Sequence, residues 1–323
     1  MARPGLRAGA ARAPRRTEMR IVIPLLVAMS VGACVAGAAD PGSSAAAFLK
    51  IGVGARAVGM GEAQAALAAG PEALYWNPAG LAADDRRAVS FTHSEWLEDI
   101  RYEYLGLSYP LFGLGTVGFS AGRLSMGKLE GRDEQGNPTG DFGASDMALS
   151  LGYARRLWEF ISVGAGAEYI SSKIENESAS AFAGSFGAAA ELPLPGLFAG
   201  VSASNFGGEM KFIEQGDPLP HVVRGGLAYV LPFGGETNDV AVAVDAVKFR
   251  DHDVTVNGGL EYWFMQTVAA RAGYKGNYDE DGLTGGLGFA YSPTEALGLL
   301  ADYAYADMGV FGATHRISVG VEF

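Results

Sequence analysis

Three stretches of this 323-residue sequence have the residue types of a reaction or cofactor site. Gly52-Val53-Gly54-Ala55-Arg56-Ala57 fits the loose dinucleotide fingerprint, whose glycines let a pyrophosphate approach the start of a helix. No βαβ pattern follows it, and no acid closes a second predicted strand about 20 residues on. Gly118-Phe119-Ser120-Ala121-Gly122 fits the nucleophile elbow. That motif needs a strand-to-helix turn to present its serine, and here it lies inside one alternating strand. Asn176-Glu177-Ser178 matches a glycosylation acceptor, which is idle in a bacterial envelope. A single cysteine excludes a disulfide framework and a Cys-based zinc site, and four scattered histidines suggest no metal centre. The sequence therefore predicts a non-enzyme with no catalytic, cofactor-binding or metal-ligating residues.

Isolated charges set among small residues are more informative. Glu168, Arg224, Asp245, Glu261, Arg271, Asp302, Arg316 and Glu322 alternate onto the same face as Gly, Ala and Ser. Opposite charges there would pair into a ladder that stiffens the fold, or each would be solvated in a wet interior. The pattern leaves both open.

The elements that carry these charges are strands. From residue 88 the dominant period is two. Met147, Leu149, Leu151 and Tyr153 alternate with Ala148, Ser150, Gly152 and Ala154, and Leu287, Phe289 and Tyr291 with Gly286, Gly288 and Ala290. One face is large and apolar, the other small or sparsely charged. A soluble sandwich would instead expose a face rich in Lys, Glu and Thr. The pattern predicts an all-β, transmembrane antiparallel barrel with lipid outside. About fourteen strands are predicted, near 88–93, 102–109, 114–124, 145–155, 161–171, 179–191, 197–205, 222–230, 239–247, 254–263, 268–275, 283–291, 297–305 and 314–323. The even-numbered connections are mostly short, and the odd ones tend to be longer and polar. That asymmetry puts periplasmic turns at one end and extracellular loops at the other. Aromatics near the short turns (Tyr109, Trp158, Phe233, Trp263, Phe264, Tyr291) fit an interfacial girdle. A terminal Phe323 with apolar partners at every second position resembles the closing-strand signal read by outer-membrane assembly machinery.

Composition and the N-terminus place the chain. Glycine, 47 of 323, is at about twice normal usage but follows no three-residue period, which excludes collagen. An isoelectric point near 4.8 argues against nucleic-acid binding. Six arginines in residues 1–20, an uncharged stretch Ile21–Ala39 and Ala36-Gly37-Ala38 follow the order of a secretory signal peptide over residues 1–39. Met19 is an alternative start, which would make residues 1–18 an extension. Val31-Gly32-Ala33-Cys34 loosely resembles a lipobox, so lipidation at Cys34 competes with ordinary cleavage. Removing residues 1–39 takes away six bases and one acid, which moves the net charge from −12 to −17. The predicted location is the bacterial outer membrane, with its lipid as a partner.

Residues 45–81 carry a family resemblance. Gly54-Ala55-Arg56 with Gly59-Met60-Gly61, and then Trp76-Asn77-Pro78-Ala79-Gly80, resemble the N-terminal signature of the PorV/PorQ family, relatives of FadL-type channels. The resemblance resumes at Arg271-Ala272-Gly273-Tyr274-Lys275, Asp302-Tyr303-Ala304-Tyr305 and Thr314-His315-Arg316-Ile317-Ser318. It implies a fourteen-stranded barrel at 88–323 and an N-terminal plug at 40–87. Gly54, Arg56, Gly59, Gly61, Trp76, Asn77 and Pro78 would form the plug motif. Within the segment, the Ala-rich Glu62–Ala69 suits a short helix. A simple lead-in to the first strand is the competing reading. For function the resemblance implies a shuttle for exported proteins, as in type IX secretion. A FadL-like channel for hydrophobic small molecules and a structural envelope barrel are the alternatives.

Overall fold

The computed structural model describes residues 42–97, 100–127, 129–133, 135–233, 237–279 and 282–323. The signal-peptide reading, with Cys34, falls outside these residues. The chain forms a closed, antiparallel, fourteen-stranded barrel. Its strands are β1 (Ala88–Glu95), β2 (Arg101–Pro110), β3 (Thr116–Ser125), β6 (Ala144–Trp158), β7 (Ile161–Ile174), β8 (Glu177–Glu191), β9 (Leu197–Gly207), β12 (Val222–Pro232), β13 (Asp239–Phe249), β14 (Thr255–Phe264), β15 (Val268–Gly276), β16 (Leu283–Thr294), β17 (Leu297–Asp307) and β18 (Ala313–Glu322). Each pairs with its neighbours in the chain, and β1 pairs with β18, Ala88 opposite Glu322, to close the ring. Closure leaves no sheet edge, so ladder hydrogen bonds satisfy the backbone in lipid.

The period of two reappears as two surfaces. Phe119, Leu151, Phe182, Phe186, Leu227, Val244, Leu287 and Ile317 face outward and are exposed. Ala154, Ser202, Ala241, Ala243, Ala269 and Ala304 face inward and are buried. Tyr109, Trp158, Phe233, Phe264 and Tyr291 are exposed near the short turns, as a girdle requires. Trp263 departs from that expectation. It is 2% exposed and turned inward, with the Arg271 guanidinium 5.6 Å from its ring.

The long loops hold two small hairpins that the alternation did not reveal, β4 (Leu129–Arg132) with β5 (Pro138–Phe142), and β10 (Glu209–Lys211) with β11 (Gly216–Pro218). The fifth connection is not a long loop. β7 and β8 are joined by Glu175 and Asn176 alone, with Glu175 in the left-handed region at φ 53°. Strands β6, β7 and β8 run 15, 14 and 15 residues, beyond the roughly 9–11 that cross a bilayer. Around the β7–β8 turn Ser171, Ser172, Lys173, Glu177 and Ser178 blur the apolar/polar alternation, which hides the ends of these strands.

Candidate functional site

Residues 42–87 run inside the barrel from the loop end to the turn end. At the loop end Ala45 N–H donates to the Pro218 carbonyl (2.9 Å). Asp251 accepts from Ser44 Oγ, and Lys50 Nζ lies 2.6 Å from its Oδ2. Burial works against the Asp251 charge, but Lys50 and Ser44 hold its carboxyl below the usual range. At the turn end Arg87 and Phe323 exchange two backbone hydrogen bonds, 3.1 and 2.9 Å. Between these ties the segment is close-packed: Val53, Ala55, Met60, Ala63, Ala65 and Ala73 have no exposed surface.

Its helices are short, α1 (Ala55–Gly59) and α2 (Ala73–Trp76). Glu62–Ala69, expected as a helix, forms turns instead. So short a stretch is marginal as a helix even when Ala-rich. Side chains also claim its backbone: Asp245 Oδ2 of the wall accepts from Ala65 N–H (2.7 Å), and Asn77 Nδ2 of the segment itself donates to the Ala65 carbonyl (2.7 Å). Glu62 begins the stretch at φ 65°.

The inward glycines explain how a chain fits there. A Cβ on Gly164 would strike the Pro78 carbonyl, on Gly187 the Asn77 side chain, and on Gly200 the Ala65 carbonyl. One on Gly118 would lie 2.7 Å from Leu81, and one on Gly259 or Gly273 would meet the Met60–Gly61 backbone. These glycines are notches that seat the segment.

The motif residues meet in this packing. Gly54 (φ 83°) and Gly61 (φ 62°) turn the chain on either side of α1, and Gly59 sits against Gly286 of the wall. Trp76 Nε1 donates to the Val53 carbonyl (3.0 Å), and its own carbonyl accepts from Ser202 Oγ (2.8 Å). Asn77 donates to the carbonyls of Ala65 and Ala188, and its Oδ1 accepts from Ala79 N–H (3.1 Å). Pro78 then opens a 3-10 turn, Pro78–Ala83. Arg56 reaches the wall, with Nε and Nη2 3.0 and 3.1 Å from Glu261.

Of the predicted lumen charges, three come together. Arg271 Nε lies 2.7 Å from Glu261 Oε2 and its Nη1 2.7 Å from Asp302 Oδ1. With Arg56 they make a four-member network of two bases and two acids. The others do not join it. Asp245 holds Ala65. Glu322 pairs with Arg86. Arg316 packs over Trp96 (5.0 Å) and bonds Thr314 (3.1 Å). Arg224 and Glu168 line a cavity. Sequence reasoning missed Glu62, paired with Lys275 at 3.2 Å, and Thr284, whose Oγ1 accepts from Gly61 N–H. It also missed Glu72. The signal available was an acid at 62 and at 72 in a segment otherwise made of small residues.

Two cavities flank the segment. The upper one, about 580 Å³ with the space at its mouth included, is lined by Tyr75, Tyr102, Tyr104, Glu168 and Arg224. The lower one, about 1080 Å³ on the same measure, lies toward the short turns beside Arg56, Glu72, Arg271 and Asp302. Pro71 and Glu72 face the lower cavity and Leu74 and Tyr75 the upper, so this short stretch is the partition. Burial, helped by Asp302, pushes the Glu72 carboxyl up to about 7, against Arg56 and Arg271.

Neither a family model nor a curated protein sequence matches the chain. Solved structures do. The toluene transporter TbuX of Ralstonia pickettii is 15% identical, with a TM-score of 0.54 over 84% of this chain and 97% of that one. The toluene transporter TodX of Pseudomonas putida is 13% identical, with a TM-score of 0.56 over 84% and 97%. A FadL homologue of Pseudomonas aeruginosa is 11% identical, with a TM-score of 0.51 over 84% and 98%. These neighbours are FadL-family barrels, and they lend no support to the PorV/PorQ assignment or to a secretion role. The chain has the fold of these FadL-type outer-membrane barrels, a closed antiparallel ring of fourteen strands.

Proposed function

We propose that the protein is a plugged channel for hydrophobic small molecules. Residues 42–87 are the plug, and Gly54, Arg56, Gly59, Gly61, Trp76, Asn77 and Pro78 are its motif. The observation that carries this reading is the partition: one lumen holds two cavities, divided by residues 71–75 of the N-terminal segment. A thin divider between an outer and an inner chamber suits stepwise passage, and a segment packed across the lumen argues against a general pore. The printed descriptions of TbuX and TodX as toluene transporters agree with it. A shuttle for exported cargo rests on the sequence resemblance at 45–81 and in the last strands alone, and no feature of the structure favours it. Phe323 acts in assembly, as the interfacial aromatic of the closing strand, and deleting it should sharply lower barrel insertion.

Proteoliposomes made with the purified chain test the channel. Labelled toluene should enter them faster than protein-free vesicles preloaded with the same lipid, and glucose should not. Equal rates for toluene with and without protein would overturn the reading.

A further inference from the structure

The upper cavity is not the plain apolar chamber that a hydrocarbon needs. Arg224 is 3% exposed, and its Nη1 is buried with no hydrogen-bond partner among the described residues. Its guanidinium sits among the rings of Trp76 (5.2 Å), Tyr75 (5.4 Å) and Phe249 (5.9 Å). Rings steady the guanidinium plane but offer no acceptor in line with its N–H bonds. Asp245, on the next strand, accepts from the Ala65 amide and makes no hydrogen bond to Arg224, although the two charges attract and its Oδ1 has no partner among the described residues.

A second orphan lies beside it. Ser204 is 3% exposed, and its Oγ is buried without a partner among the described residues. Ser204 stands opposite Val222 in the β9–β12 ladder, two positions from Arg224 and on the same inward face. Both residues line the upper cavity. Next to Ser204 the ladder shifts register and Asn205 takes φ 63°, so the wall bulges at this point of the lining.

Glu168 lies three strands round the wall in the same cavity. It accepts from Ser150 Oγ (3.0 Å), and no cation pairs with it among the described residues. Tyr102, Tyr104 and Leu74 line the same cavity. A buried cation, a buried hydroxyl and a separate buried carboxylate are each expensive to leave unmatched. A purely apolar guest would match none of them.

Resting on the channel reading above, we infer that the upper cavity takes aromatic carboxylates that carry a hydrogen-bond donor on the far side of the ring. Arg224 and Ser204 bind the carboxylate, the tyrosines hold the ring, and Glu168 accepts from the distal hydroxyl or amine. A bidentate guanidinium–carboxylate pair is the strongest contact available in such a chamber.

The test uses the full chain in proteoliposomes, with uptake and equilibrium binding measured for toluene, benzoate, para-hydroxybenzoate and para-hydroxycinnamate, each beside its neutral methyl ester where it has a carboxyl. Quenching of tryptophan fluorescence serves as the binding signal. The free acids should bind roughly tenfold or more tighter than the esters, the range of one hydrogen bond to a charged group. R224Q should erase that preference. S204A should weaken it by about threefold to tenfold. Ser204 has no bond to the N-terminal segment, so its effect cannot come from a loosened plug. E168Q should leave the acid-over-ester preference and remove the preference for hydroxyl-bearing rings. If toluene crosses while acids and esters bind alike, the carboxylate site falls and the channel stands. If nothing crosses but acid selectivity persists and R224Q removes it, the site stands and the channel falls. Selectivity that survives R224Q and S204A together overturns the inference.

Discussion

The two halves of the barrel wall hold the N-terminal segment by different means. On the β13–β18 side the grip is charged and polar. Arg56, Glu261, Arg271 and Asp302 form the network, Lys275 takes Glu62, and Asp245, Thr284 and Ser318 accept from the Ala65, Gly61 and Ala55 amides. On the β3–β9 side the grip is a mould. Glycines at 118, 152, 164, 187 and 200 admit Leu81, Leu74, Pro78, Asn77 and Ala65, and the direct bonds run through Asn77 and Ser202, with Arg156 donating to the Ala82 carbonyl and no ion pair among them. Buried polar atoms without a partner among the described residues occur on both sides, Ser204 Oγ on the moulded one and Asp245 Oδ1 and Asn257 Oδ1 on the charged one, with Arg224 Nη1 at the border. One wall holds by charge, the other by shape.

Removing both grips together should give the largest effect. Deleting residues 45–81 leaves every barrel strand intact, so planar-bilayer recordings should show a large, permanent rise in conductance. A full-length protein that is already open, with no change on deletion, would make the segment a lead-in and the protein a general pore.

Breaking the anchoring wall comes next. Glu261→Gln takes the shared acid from Arg56 and Arg271 and leaves Asp302 as the remaining carboxylate of the network. Stripping a buried charge of every partner costs about 3–5 kcal/mol, and losing one of two costs less. The variant should show a lower heat-modifiability temperature on gels and frequent openings. Wild-type behaviour in both would show that the network is not the anchor.

On the moulded wall Asn77→Ala removes three bonds but no charge. Stranding buried carbonyls costs about 1–3 kcal/mol. Openings should be intermittent and rarer than in Glu261→Gln. The reverse ranking would invert the comparison.

The smallest effect concerns the partition. Glu72 has its folded pKa raised to about 7, so the folded state binds the extra proton. Its contribution is most favourable below the unfolded carboxylate pKa and is lost as pH rises through about 7. Openings should be slightly more frequent at pH 8 than at pH 5.5, and Glu72→Gln should flatten that dependence. An unchanged slope in Glu72→Gln would assign the titration elsewhere.

The wall was legible because strand alternation is a local code. His315, Ile317 and Val319 announce their face whatever lies across the barrel. The interior was not, because its contacts join residues far apart in sequence. Nothing near Glu261 says that it faces Arg271 on the next strand and Arg56 across the lumen, while Glu168 finds only Ser150. Glu62–Ala69 misled for a related reason: its composition favours helix, but Asp245 of the wall takes the Ala65 amide and Asn77, twelve residues on, takes the Ala65 carbonyl. Trp263 looked like a girdle residue because Phe264 beside it is one, and a single step in a strand reverses the side chain.

The ties at the two ends of residues 42–87 limit what motion is open to them. Ser44, Ala45 and Lys50 are fastened near the extracellular loops, and Arg87 is stitched to Phe323 at the seam where the first and last strands meet. The segment is a cord clamped at both ends. It cannot swing out like a door or be expelled like a cork while those clamps hold. On the channel reading proposed above, passage comes from slack taken up mid-span, where Gly70, at φ 62° with nothing near its missing side chain, precedes the stretch that divides the chambers.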